Sequence, residues 1–148
     1  MKKFVALLLA LIFTVSFMST VSYAAQSGEK IIDPIETRNL YISNLRCTNS
    51  LSGTKMLFTA LFRTNEVSYC RVVIDLERSP INTNNFQFYC NLVDTEVDGD
   101  PNGSENHTVP ASATKNSGYK YRAKVTVYAY NTKGFIIDND SVYSGIIN

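Results

Sequence analysis

The run Asp98-Gly99-Asp100-Pro101-Asn102-Gly103 carries the most explicit chemical spacing in the chain. It matches the D-x-D-x-N-G opening of an oxygen-rich calcium loop. Side chains at alternate positions turn their oxygens toward one centre, and the glycine permits the sharp bend that follows. Ser104 would add its backbone carbonyl, and Asp94, Glu96 and Glu105 stand near enough in sequence to supply further carboxylates. Position twelve of the pattern is Val109 instead of a bidentate glutamate, which excludes a complete EF-hand. A site of this composition would be of the weak extracellular type, with a dissociation constant on the order of 10⁻⁴ to 10⁻³ M. The same residues are also the usual turn formers, so a solvated turn without an ion competes with a single calcium ion.

Nucleophilic chemistry has less to work with. His107 is the sole histidine, and it falls in a stretch rich in Gly, Asn and Ser that reads as a loop around one short strand. A Cys47 and His107 dyad would need a local signature that is missing around both residues. Three scattered cysteines and one histidine also lack the paired spacing of a zinc site. The expectation is therefore a protein without catalytic residues.

Tyr128 and Tyr130 share one side of an alternating segment with Lys120, Arg122 and Lys124. Such a face would make a flat aromatic and basic platform for a glycan or an anionic partner. Tyrosine at strand spacing is equally an ordinary sheet residue. The acidic cluster Asp138-Asn139-Asp140 reads as an edge or bulge device against aggregation.

The segments that must position these residues begin with a leader. Lys2 and Lys3 precede an apolar run from Phe4 to Met18, and Ser22-Tyr23-Ala24 puts small residues where a signal peptidase inspects the chain. The run falls short of the ~20 residues of a spanning helix. Residues 1–24 therefore read as a cleaved secretory signal of bacterial kind, 25–38 as a polar tether, and 39–148 as the folded domain. Export is the expected localisation. The remaining chain suffices for one domain with a sizeable core. Its near-neutral charge excludes the concentrated basic excess of a nucleic-acid binder. It contains no later apolar stretch of spanning length and no cysteine at the cleavage region to take a lipid.

From residue 40 onward short apolar alternations are separated by Asn, Ser, Gly and Pro clusters, the pattern of an all-β domain. Strands are expected at 39–47, 55–63, 67–76, 86–93, 119–130 and 135–147, the last with a break, and a short piece at 107–110. Seven strands point to a single antiparallel β-sandwich. The second is apolar on both sides and should lie centrally in its sheet. If the third and fourth form a hairpin with Ile74 opposite Phe86, then Val72 faces Phe88 and Cys70 faces Cys90 on the same apolar side. That register favours a Cys70–Cys90 disulfide with Cys47 free; Cys47 bonded to either partner, or no bridge at all, are the alternatives.

Ala129-Tyr130-Asn131-Thr132-Lys133-Gly134, entered through alternating Val125 and Val127, resembles the penultimate strand and final turn of fibronectin type III and related immunoglobulin-like domains. Those families carry a tyrosine four residues before the position of Val127; here Ala123 occupies it, and Tyr121 lies one pair earlier. The resemblance implies a sandwich and no particular function. Together these features describe a secreted, non-catalytic module that binds an extracellular protein or cell-surface component. A carbohydrate-binding accessory module using Tyr128 and Tyr130 is the second reading, and a small secreted hydrolase or toxin the third.

Overall fold

The computed structural model describes residues 40–148, so the expected leader at 1–24 and tether at 25–38 lie outside the described residues. Seven strands and no helix make up the described chain: β1 (Ile42–Ser52), β2 (Lys55–Asn65), β3 (Tyr69–Pro80), β4 (Gln87–Asp98), β5 (Ser104–Thr114), β6 (Tyr119–Tyr130) and β7 (Ile136–Tyr143). One sheet has three strands in the order β1-β2-β5, the other four in the order β4-β3-β6-β7. All the pairings are antiparallel. The expected all-β sandwich is the architecture found.

Period-two alternation builds the core. β2 sends Met56, Phe58, Ala60 and Phe62 inward, β3 sends Cys70, Val72, Ile74 and Leu76, and β6 sends Tyr121, Ala123, Val125, Val127 and Ala129. Ile42, Val67, Val109, Ala111 and Ile147 complete one continuous cluster. β2 is central in its sheet, as its two-sided apolar character implied. Its outward Leu57 and Leu61 are only partly covered. Among the described residues no buried side-chain nitrogen or oxygen lacks a hydrogen-bond partner.

Turns close with local chemistry. The Asn131 side-chain oxygen accepts from Lys133 N at 2.9 Å and Phe135 N at 3.0 Å, while Gly134 takes φ 76°, where a β-carbon would be strained. Tyr121 is fully buried, and its hydroxyl accepts from Asn116 N at 3.3 Å across the β5–β6 connection. After β7 the chain breaks at Ser144, whose hydroxyl accepts from Ala123 N at 2.9 Å, and Ile147 then bridges to Tyr121.

β5 departs most from the expected outline. It is a full edge strand, Ser104–Thr114, in place of a short piece at 107–110, so His107 lies inside the strand instead of at its boundary with a loop. Its inward positions include the small Ala111 and Ala113, which carry a faint hydrophobic signal, and Pro110 is tolerated because an edge strand can forgo a ladder donor. β1 likewise begins later and runs further, to Ser52.

The expected Cys70–Cys90 bridge is overturned: all three cysteines are free. β3 runs on to Pro80, and β4 contains two bulges, opposite Ile74/Asp75 and Leu76/Glu77, each adding one residue to β4. Cys70 consequently faces Val97, and Cys90 faces Leu76. Six residues along a strand separate the two thiol positions by roughly 20 Å, against the less than about 7 Å between α-carbons that a disulfide requires. Alternation within β3 is as expected, but the later turn and the β4 bulges are invisible to a register count that assumes neither, and they change which β4 residues face inward.

Candidate functional site

The outer face of the four-stranded sheet is set by register. Tyr130, Tyr69 and Asp98 lie in one row, followed by Tyr128, Arg71 and Glu96; Thr126, Val73 and Asp94; Lys124, Asp75 and Asn91; and Arg122, Glu77 and Phe88. Tyr128, Tyr130, Arg122 and Lys124 therefore do share a face, as their spacing implied. Their neighbours change its character. Tyr130 stacks on Tyr69 with ring centroids 4.5 Å apart and planes within 5°. Arg71 donates to both carboxylate oxygens of Asp94, at 2.7 and 2.6 Å. Those hydrogen bonds hold the Asp94 carboxyl below the usual carboxylate range and push the Arg71 guanidinium above its own. Arg122 pairs with Glu77 at 2.7 Å, Lys124 stands in register with Asp75, and Lys120 Nζ donates to Asn84 Oδ1 at 2.6 Å. Both outward arginines of this face are thus paired with acids of the same sheet, and Lys120 with an amide of the hairpin loop.

At the hairpin end two arginines are clamped by aromatic rings. Arg122 lies 4.5 Å from the Phe86 ring and 4.0 Å from that of Tyr143; Arg78 lies 4.0 Å from Tyr89 and 4.6 Å from Tyr119. These distances are within cation–π range. The β4 bulge at Tyr89 re-aims that ring onto Arg78. The connecting loop is held by Ser79, whose hydroxyl bonds Thr83 Oγ1 at 2.8 Å, and by Ile81 N donating to Gly118 O at 3.0 Å. A groove of about 400 Å³ lies here, lined by Arg78, Pro80, Thr83, Asn85, Gln87, Phe88 and Tyr119. Beside it Phe88 is 65% exposed and Ile81 51%. The expected register puts Phe88 inward beside Val72; the bulge at Tyr89, between Phe88 and the inward-facing Cys90, turns it out. The run Phe86-Gln87-Phe88-Tyr89 was the available signal, and its density of aromatics exceeds what one buried face needs.

The other sequence candidates are scattered. Asp98 ends β4, Ser104 opens β5, and the turn between them is closed by Asp100, whose Oδ1 accepts from Asn102 N at 2.9 Å. Its other oxygen lies over Gly103. Gly99 is pressed against the Val67 carbonyl, so a β-carbon there would collide. Ser104 Oγ donates to Asn65 Oδ1 at 2.8 Å. Glu96 lies opposite Arg71 and Glu105 opposite Thr64. Among the described residues no group of three or more His, Cys, Asp or Glu converges as metal ligands do.

His107 points inward from β5, 8% exposed, stacks on Phe62 at 4.8 Å, and its Nε2 lies 2.9 Å from Thr64 Oγ1. Burial lowers its pKa, which the Glu105 charge partly opposes. Cys47 lies in β1 opposite Ala60, with Sγ donating to Thr48 O, so the ring nitrogen bonded to Thr64 does not serve it. Burial pushes the Cys47 thiol up, the reverse of an activated nucleophile. Asp138 and Asp140 stand on the edge strand β7 next to a bulge, and Asp138 accepts from Tyr41 N at 3.2 Å and Ile42 N at 3.1 Å.

No family model matches the chain, and no curated protein matches it. Among solved structures it is similar to a protein of Archaeoglobus fulgidus at 8% identity, over 72% of this chain and 96% of that one, with a TM-score of 0.41. It is also similar to a Bordetella pertussis protein carrying the name ApaA, at 9% identity over 72% and 88% of the two chains, with a TM-score of 0.34.

Proposed function

We propose that this chain is an exported, non-catalytic binding module that recognises another protein with the hairpin end of its four-stranded sheet. The observation that carries the reading is the exposure of Phe88 and Ile81 on a hydrogen-bonded hairpin beside an arginine held between two tyrosines. Aromatic and arginine side chains dominate the energetics of protein interfaces, and large apolar side chains exposed on an ordered surface lower the entropy lost on docking. The leader at 1–24 supports export. The use of His107 as a buried partner of Thr64 supports a role without turnover.

An immunoglobulin-like classification is supported by three features. The strands β1, β2 and β5 oppose β3, β6 and β7 as in constant-type domains, with the fourth strand paired to the third instead of joining the first sheet. Tyr121 bonds backwards to Asn116 N as a tyrosine corner does, and Asn131 closes the final turn.

The test uses immobilised wild-type protein and a Phe88→Ser/Ile81→Ser variant, each offered the surface proteins of the producing cell. The expected result is a partner retained by wild type and lost by the variant while the unfolding midpoint stays within a few degrees. Equal retention by both would remove the hairpin from the account. Binding that instead disappears with Tyr128→Ala/Tyr130→Ala on a glycan array would favour the carbohydrate reading.

A further inference from the structure

The three-stranded sheet presents an outer face of the opposite electrostatic kind. β1 and β2 contain no acidic residue, and β5 contains only Glu105, which has the parity of the inward Thr64 and is exposed at the start of the strand. Outward positions are instead Ser, Thr, Asn, Pro and Leu, with Arg46, Arg63 and Lys55 as the charged groups. Neither arginine is within ion-pair distance of a carboxylate among the described residues, whereas Arg71 and Arg122 across the sandwich both are.

Arg46 and Arg63 are brought to one groove by a bulge. Asn44 and Leu45 together oppose Phe62, with Asn44 at φ 55°, so β1 kinks and Arg46 comes opposite Leu61 on the same face as Arg63. The resulting groove, about 540 Å³, is lined by Asn44, Arg46, Leu61, Arg63, Asn106 and Thr108, with Leu45, Phe62 and His107 also on its wall. Its size suits a small organic group instead of a bare ion. Its chemistry combines two guanidinium forks for a carboxylate or sulfate, amides and a hydroxyl for further hydroxyls, and one apolar side chain for a C–H face.

We infer that this groove binds an acidic sugar residue of a surface polysaccharide, with Arg46 and Arg63 on its anionic group, Asn106 and Thr108 on its hydroxyls and Leu61 beneath its ring. The inference is independent of the hairpin surface, which lies on the other sheet. An open cationic face also attracts a polyanion before contact, so association should weaken steeply with salt.

The experiment measures binding of the full chain to three immobilised polymers: polygalacturonate, sulfated dextran and unmodified dextran. Binding to polygalacturonate or sulfated dextran, and none to dextran, is expected, and whichever of the two binds identifies the anionic group as carboxylate or sulfate. Arg46→Gln and Arg63→Gln should each weaken it about tenfold, the loss expected for one charge-assisted hydrogen bond. Lys120→Gln/Lys124→Gln on the opposite sheet should leave it unchanged. Thr108→Val preserves charge and shape and should weaken it severalfold. Failure to bind either acidic polymer, equal loss in the opposite-sheet variant, or indifference to Thr108→Val would each overturn the assignment, the last by reducing the face to a simple charged patch.

Discussion

His107 shows how one side chain's surroundings decide its part. Packed on Phe62 and bonded to Thr64, it gains nothing from a proton, and its pKa lies below the ordinary 6.5. In the window between 6.5 and that lower folded value, the unfolded chain binds a proton that the folded chain refuses. Stability contributed this way is complete above the window and is lost as pH falls through it. Unfolding midpoints of wild type and His107→Gln, followed from about pH 8 to pH 5, should therefore diverge in slope over that window, with the variant flatter. Parallel slopes would mean the ring is solvated. Cys70 makes a second case at this scale: burial first, and the Asp138 charge second, push its thiol up to about 12. Native protein should alkylate at Cys70 slowest of the three cysteines, and denatured, unreduced protein at all three. A disulfide-linked peptide pair in a digest would contradict the register. In the acidic turn, Asp100 already caps Asn102 N and Asp94 is engaged by Arg71. Millimolar calcium followed by a chelator should leave the unfolding midpoint unmoved; a rise with calcium would show that these carboxylates rearrange around the ion.

At the level of elements, the sandwich is closed along β1 and β7 by few groups. Asp138 supplies one carboxylate oxygen to two backbone donors at the start of β1, and Asn49 Nδ2 donates to Gly145 O from its other half. Asp138→Ala leaves Tyr41 N and Ile42 N without their acceptor and should cost about 1–3 kcal/mol. Hydrogen exchange should localise the loss to β1, whereas uniform loosening would place the role of Asp138 elsewhere. The β6–β7 turn offers a local counterpart. Asn131→Ala removes an acceptor used twice in an exposed turn and should cost less, about 1 kcal/mol, read as a shift in denaturant midpoint without a change in slope.

For the whole molecule, the core formed by the described residues runs from Ile42 to Ile147 as one continuous cluster, so residues 39–148 should fold alone in one cooperative transition. A noncoincident or shallow transition would show that the preceding chain contributes to the fold. The distribution of charge is also a property of this scale. Acids concentrate in one sheet, where they match the cations of β3 and β6, and the other sheet keeps its arginines unmatched. No single strand carries that asymmetry in its own sequence.

Alternation in β2 and β6, the Asn131 and Gly134 turn, and the central place of β2 were legible because each depends on side-chain parity or on contacts within a few residues. Parity is a local consequence of the pleat, and turn residues close their own hydrogen bonds. The free cysteines, the outward Phe88 and the inward His107 were not, because they depend on where the β3–β4 turn falls, on the bulges in β4 and on where an edge strand of small residues ends. Tertiary structure alone decided which strands share a sheet and therefore which charges meet across it, since pairing joins residues far apart in the chain and one inserted residue reverses every side chain beyond it.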